Sequence, residues 1–268
     1  EGLTATLRAA LDPRPTPSSP SAAVAGAADG SAHRAALLID HGGVISDSAP
    51  DAALLDAFGD HLARLLDSPA DPVDRERALA LIAAGRARHA EFKRAQRAAP
   101  SADGIREMDP LHFWRDLVGE PLSPRARAVL EAEAHDLMYR FGRAKSRRTL
   151  RNGVRELLEF CGERGITVVV VSNTISGRAV RSECAAHGID HLIAAYVCSD
   201  ENGYRKPDVR IVHEALTIAD SAPSHTWFLG DKPQNDAAAA LALGIGHRVL
   251  VHGGPTEGAS LDAAVAEG

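Results

Sequence analysis

Three acids, Asp40, Asp231 and Asp236, stand where a chain can do chemistry with them. Asp40 ends the apolar run Ala35-Ala36-Leu37-Leu38-Ile39. Asp231 follows Trp227-Phe228-Leu229-Gly230, and Asp236 comes shortly after it. Between these acids lie Ser172-Asn173, directly behind Val168-Val169-Val170-Val171, and the turn Lys206-Pro207-Asp208. If folding brings these segments together, three carboxylates would repel one another unless shielded. A hard divalent cation removes that conflict, and an all-oxygen ligand set favours magnesium. A carboxylate at a strand end can also attack as a nucleophile, forming an aspartyl-phosphate. A phosphoryl group adds negative charge, so cations and donors must surround it. Lys206 supplies a point charge, and the Ser172 hydroxyl with nearby backbone N–H groups supplies hydrogen bonds. The expected ligand is anionic and rich in oxygen.

Lysine is scarce. Lys93, Lys145, Lys206 and Lys232 are the only lysines in a chain with 30 basic residues, the rest being arginine. A lysine at a special place in such a chain reads as a chemical choice.

The elements that must position these residues follow from the hydrophobic pattern. Ala35–Ile39 has the length and burial signature of a parallel strand, and Gly42-Gly43 turns the chain sharply after it. Between residues 51 and 148 apolar residues recur at helical spacing, and Pro69, Pro72, Pro100, Pro110, Pro121 and Pro124 divide the stretch into several helices. From Asn152 the pattern alternates. Helices are expected over 154–164, 177–187, 209–218 and 236–243. Strands are expected over 167–171, 194–198, 227–229 and 248–251. Such alternation predicts an α/β fold with a doubly wound parallel sheet. In such sheets ligands bind beyond the carboxyl ends of the strands, where Asp40, Ser172-Asn173 and Asp231 fall.

The segments Leu37-Leu38-Ile39-Asp40-His41-Gly42-Gly43-Val44-Ile45, Val170-Val171-Ser172-Asn173, Arg205-Lys206-Pro207-Asp208 and Leu229-Gly230-Asp231-Lys232-Pro233-Gln234-Asn235-Asp236 resemble, in order, the four motifs of the haloacid dehalogenase superfamily. The resemblance covers roughly residues 35–252 and implies a HAD-like Rossmannoid core with an inserted all-helical cap of the C1 type. It implies boundaries at 34–48 and 149–268 for the core and 49–148 for the cap. It also implies Asp40 as nucleophile, with Ser172 and Lys206 completing the catalytic set. Ser172, Asn173, Lys206 and Gly43 would bind the substrate's phosphate. Asp40, the Gly42 carbonyl, Asp231 and Asp236 would hold Mg2+. The implied activity is magnesium-dependent hydrolysis of a small phosphorylated metabolite.

One position departs from the pattern. Phosphatases of the superfamily usually carry a second aspartate two residues after the nucleophile, as acid and base, and here that position is Gly42. Three readings stay open. The chain is a phosphatase using another acid or an acidic leaving group; it is phosphonatase-like or cleaves another C–P or C–X bond; or it binds phosphate with little turnover, as a regulatory protein. A dehalogenase needs no metal and fits the acid pair Asp231 and Asp236 poorly. A phosphonatase needs a cap lysine; Lys93 and Lys145 are the only lysines between the first two motifs, and neither lies soon after the first, where phosphonatases keep it. His41 is expected to turn away from Asp40 as a packing or surface residue, Asp47 to cap the next helix, and His89, His112 and His135 to be exposed. Trp114 and Tyr139 are read as insert core, the alternative being a substrate lining. The cluster Arg143, Lys145, Arg147, Arg148 and Arg151 is either a solvated face or an attractor of anions.

Composition narrows the partners. The chain has 268 residues, is 45% hydrophobic and carries a formal net charge of −6, with no basic stripe for nucleic acid. No stretch reaches the roughly 20 apolar residues of a membrane span, and no basic start precedes an apolar run. Cys161, Cys184 and Cys198 show no metal spacing and read as buried thiols of a reducing compartment, so a cytoplasmic enzyme is expected, as monomer or homodimer. Residues 1–33, rich in Ala, Pro, Ser and Gly, read as a tail with a short helix near 3–11.

Overall fold

A computed structural model describes residues 34–99 and 103–252. The expected tail over residues 1–33 lies outside them. Five parallel strands form the central sheet: β1 (Ala36–Ile39), β4 (Thr167–Ser172), β5 (Ala195–Cys198), β6 (Thr226–Gly230) and β7 (His247–Leu250). Their spatial order is β5-β4-β1-β6-β7. The chain therefore builds outward from β1 on one side, then returns to build on the other. β1 sits in the centre, pairing Ile39 with Val170 of β4 and with Leu229 of β6. This register places the ends of β1, β4 and β6 side by side, so Asp40, Ser172 and Asp231 emerge on one edge.

The apolar composition of the strands explains the layering. Side chains alternate across a sheet, and both faces here are covered. On one face Leu37, Ile39, Val168 and Val170 pack under α6 (Val154–Glu163) and α7 (Gly177–Ala186). On the other, Leu38, Val169, Val171 and Phe228 pack under α9 (Val209–Ala219), which follows the short α8 (Ser199–Asn202), and under α10 (Ala238–Ala242). Every residue of β1 is fully buried, as a strand covered on both faces must be. Cys161, Cys184 and Cys198 are free and buried in this core, and burial raises each thiol pKa.

Between β1 and β4 the chain forms α1 (Ala52–Leu66), α2 (Arg75–Ala98), the short π-type helix α3 (His112–Val118), α4 (Pro124–Ala132) and α5 (Ala134–Ala144). These helices enclose a hydrophobic cluster of their own, in which Phe58, Phe113, Trp114 and Phe141 stack and cross at ring separations of 5.1–6.0 Å. Trp114 is fully buried there and Tyr139 lies beneath the Arg178 guanidinium, so neither faces the cleft described below.

An antiparallel ribbon that the sequence did not announce joins the two parts. β2 (Ser46–Ala49) pairs with β3 (Arg147–Leu150) just where the chain leaves and re-enters the α/β layer. The expected cap of the next helix also moves: Asp47 lies in β2, and Asp51 caps α1 by accepting from Leu54 N–H at 3.1 Å.

Candidate active site

The edge formed by the ends of β1, β4 and β6 opens into a cleft of about 700 Å3. Asp40 sits at its floor, 6% exposed. Its N–H continues the β1–β6 pairing by donating to Leu229 O at 2.9 Å, which fixes the carboxylate at the strand end. Lys206, 2% exposed, reaches the same point from the loop before α9. Its ammonium donates to Asp40 Oδ1 at 2.8 Å and to Val171 O at 2.6 Å, and lies 2.7 Å from Asp236 Oδ1. Burial disfavours the Asp40 anion, but Lys206 and Lys232 outweigh burial and hold the carboxyl below its usual range. Lys206 is itself pushed up to about 12, because Asp236 and Asp40 overcome the burial of its charge. Asp40 is therefore an ionised carboxylate beside a fixed cation.

Asp231 and Asp236 complete the acidic cluster. One oxygen from each of Asp40, Asp231 and Asp236 falls within 4.8 Å of the others. Gly230 makes the approach possible, because a Cβ there would stand 2.3 Å from Asp236 Cβ. Asp236 Oδ2 accepts from the N–H groups of Asp231 and Lys232 at 3.1 and 2.9 Å. Asp236 Oδ1 is shut off from solvent, and its short approach to Lys206 lacks hydrogen-bond geometry. Burial raises the Asp231 and Asp236 pKa values despite their lysine neighbours. Three buried carboxylates within 4.8 Å of one another fit a hard divalent cation.

The remaining candidate residues divide. Ser172 ends β4, lines the cleft and is 3% exposed, and its hydroxyl has no hydrogen bond among the described residues. Asn173 is committed elsewhere. Its Nδ2 donates to Lys206 O at 2.9 Å and its Oδ1 accepts from Lys206 N–H at 2.8 Å, so the side chain clamps the lysine's backbone. Gly43 lines the cleft, but its own backbone groups are engaged within the protein. Its N–H donates to Ser46 O at 2.8 Å, and its carbonyl accepts from Arg151. Gly43 adopts φ 87°, where a glycine turns the chain without strain. The N–H and carbonyl of Gly42 are the ones with no partner among the described residues.

Two cleft residues, Arg97 and Arg205, were not singled out from the sequence. Lys145, Arg148 and Lys232 line the cleft with them, so three of the four lysines reach one cavity. Within the basic cluster near β3 the structure makes a distinction. Arg147 pairs with Asp51, Arg143 bonds Ser182 and Arg151 braces two carbonyls, whereas Lys145 and Arg148 face the cleft. His41 is 3% exposed with Nε2 3.3 Å from Glu183 Oε1, and both residues line the cleft. His89 is buried beside Glu107 rather than exposed, while His112 and His135 are exposed.

Comparison with known proteins adds a family. The model of the haloacid dehalogenase-like hydrolases matches residues 35–244. Haloacid dehalogenase-like hydrolase domain-containing protein 3 of Bos taurus is 30% identical over 143 residues, covering 53% of this chain and 56% of the relative. Its Xenopus laevis namesake is 31% identical over 102 residues, covering 37% of this chain and 40% of the relative. The chain thus spans about half the length of the curated relatives it matches. Among solved structures, a HAD phosphatase from Thermococcus onnurineus gives a TM-score of 0.52 at 18% identity, covering 84% of this chain and 89% of that one. A 2-haloacid dehalogenase from Pseudomonas syringae pv. Tomato DC3000 gives 0.53 at 17% identity, covering 87% and 99%. At such identities the likeness is one of fold, and these two neighbours carry names of different reactions.

Proposed function

The chain belongs to the haloacid dehalogenase-like hydrolase family, and from that premise we propose that it hydrolyses a small phosphorylated metabolite with Mg2+, through an aspartyl-phosphate on Asp40. The observation that carries this reading is the cluster of Asp40, Asp231 and Asp236, with oxygens within 4.8 Å of one another and Asp40 kept ionised by Lys206. Without a metal, Asp231 and Asp236 keep only their lysine and backbone partners, and burying both acids beside Asp40 is costly.

In the proposed reaction a carboxylate oxygen of Asp40 attacks phosphorus, and the bond from phosphorus to the leaving oxygen breaks. Lys206 and the Ser172 hydroxyl hold the phosphoryl oxygens, while Asn173 keeps Lys206 in place. Water then attacks phosphorus, and the bond to Asp40 breaks to release inorganic phosphate. Asp40, Asp231, Asp236 and the Gly42 carbonyl would hold the magnesium ion, which supplies charge neutralisation at the transferred group. The helices between β1 and β4 act as a cap over the cleft and exclude water.

Phosphate release from p-nitrophenyl phosphate and a panel of phosphorylated metabolites, with Mg2+ or with chelator, tests the proposal. Release is expected only with Mg2+, and Asp40→Asn should lower it by at least about 10³-fold. No release across the panel, or full activity in Asp40→Asn, would sink it.

A further inference from the structure

Lys145 has an environment that hydrolysis at Asp40 does not account for. It follows the last turn of α5, is half-buried, and lines the cleft with Arg148. Its backbone N–H donates to Phe141 O, but its ammonium has no hydrogen bond or ion pair among the described residues. The other cleft cations are engaged. Asp40 and Asp236 hold Lys206, Asp231 holds Lys232, Glu107 holds Arg205, and Asn235 accepts from Arg97. Arg148 is held loosely, with Nη1 3.4 Å from Ser46 Oγ and Nε 4.0 Å from Glu183.

The groups around Lys145 make matters worse for its charge. Arg148 from β3 and Lys93 and Arg86 from α2 are positive, and Glu107 is the acid that opposes them. Burial first, and these cations second, lower its pKa to about 8. An unpaired ammonium in such a place is stabilised by an incoming anion.

Gly42 belongs to the same arrangement. A Cβ at this position would stand 3.4 Å from Arg148 Nη1. The space beside the nucleophile, where relatives of the resemblance carry an acid, is thus bordered by a guanidinium. In-line attack sends the leaving group away from Asp40, into the cleft that Lys145 and Arg148 line. Resting on the reading that Asp40 attacks a phosphoryl group, we propose that Lys145 and Arg148 form a second anion site on the leaving-group side of the cleft. The preferred substrate then carries a carboxylate or a second phosphoryl group in addition to the one removed.

Three compounds with one carbon skeleton test this: propyl phosphate, 3-phosphooxypropionate and 1,3-propanediol bisphosphate. Isothermal titration of Asp40→Asn protein in Mg2+ reads their affinities without turnover. At least one of the two doubly substituted compounds should bind about tenfold or more tightly than propyl phosphate, as a charge-assisted contact predicts. Which of them does so distinguishes carboxylate from phosphoryl recognition. Adding Lys145→Met should bring the ratio to within about twofold, and Lys145→Arg should keep it. The ratio should fall as pH rises from about 7 to about 9.5, because the ammonium loses its proton, and Lys145→Arg should remove that dependence.

Equal affinities in the Asp40→Asn protein, or a preference that survives Lys145→Met, would overturn the second site. So would a borohydride-stable adduct of phosphonoacetaldehyde on Lys145, which would make the amine a nucleophile instead. Absence of phosphate release by the wild-type protein, with the binding preference intact, would remove the phosphoryl-transfer reading and leave the anion site standing.

Discussion

Gly42 is the residue on which the reaction turns. An aspartate there would protonate the leaving oxygen, a contribution of about 10²–10⁴-fold. With glycine, the leaving group must depart largely on its own acidity or take a proton from a weaker donor. The proposed mechanism therefore predicts a steep leaving-group dependence. Turnover of p-nitrophenyl phosphate should exceed that of propyl phosphate by at least about 10²-fold at saturating Mg2+. A flat series of kcat/KM across phenols and alcohols would show that another group protonates the leaving oxygen. His41, paired with Glu183 at 3.3 Å at the cleft wall, would be the first residue to substitute. The sequence marked Gly42 as the departure because the residues on either side keep the pattern. It could not show that Arg148 borders the vacant side-chain position, since those residues meet only through the β2–β3 pairing.

At the scale of elements, legibility followed burial. β1, β4 and β6 were readable because strands covered on both faces must be continuous apolar runs, and the catalytic candidates follow them directly. β2 and β3 were not readable, because Ser46-Asp47-Ser48-Ala49 and Arg147-Arg148-Thr149-Leu150 carry no apolar alternation. Their pairing comes from the chain leaving and returning at one place. The partner of the Gly43 N–H was hidden for a related reason: a glycine pair marks a turn but not which N–H the turn consumes. α7 supports a prediction at this scale. The N–H of its first residue, Gly177, donates to both carboxylate oxygens of Asp200, at 3.0 and 2.9 Å. Burial nevertheless raises the Asp200 pKa to about 6, with Glu201 adding to the effect and the Gly177 N–H opposing it. A carboxyl whose folded pKa is raised binds its proton more tightly in the folded state. Its contribution to stability is largest below the unfolded pKa near 4 and is lost as pH rises through about 6. Asp200→Asn keeps one acceptor for Gly177 and removes the charge. It should flatten the stability profile between about pH 4 and 6 and raise the urea midpoint at about pH 8. A lower midpoint at pH 8 would mean that the anion itself supports the helix.

The described residues form an α/β layer with a hydrophobic cluster on each face of its sheet and a helical insert with a third, joined at a ribbon, with the cleft between layer and insert. Asp40, Ser172, Asp231 and Asp236 belong to the α/β layer, while Arg97 and Lys145 come from the insert side. On the proposed reading, chemistry and selectivity would therefore rest on separate cores, whose stabilities can differ. The residues supply reporters for each. Trp114 is buried in the insert, and Cys161, Cys184 and Cys198 are buried in the α/β layer. In a Trp227→Phe background, fluorescence follows the insert and thiol labelling follows the sheet. Leu130, fully buried among the insert helices, is the place to weaken one side. Leu130→Ala should cost about 2–5 kcal/mol locally. If the clusters are separate folding units, the fluorescence transition should move to lower urea while thiol protection stays where it was. The preference for a second anion should then be lost along the fluorescence transition, ahead of Mg2+-dependent release from p-nitrophenyl phosphate. Coincident shifts of both probes would show that the ribbon and the cleft contacts couple the clusters into one cooperative unit. Selectivity and hydrolysis would then have to melt together.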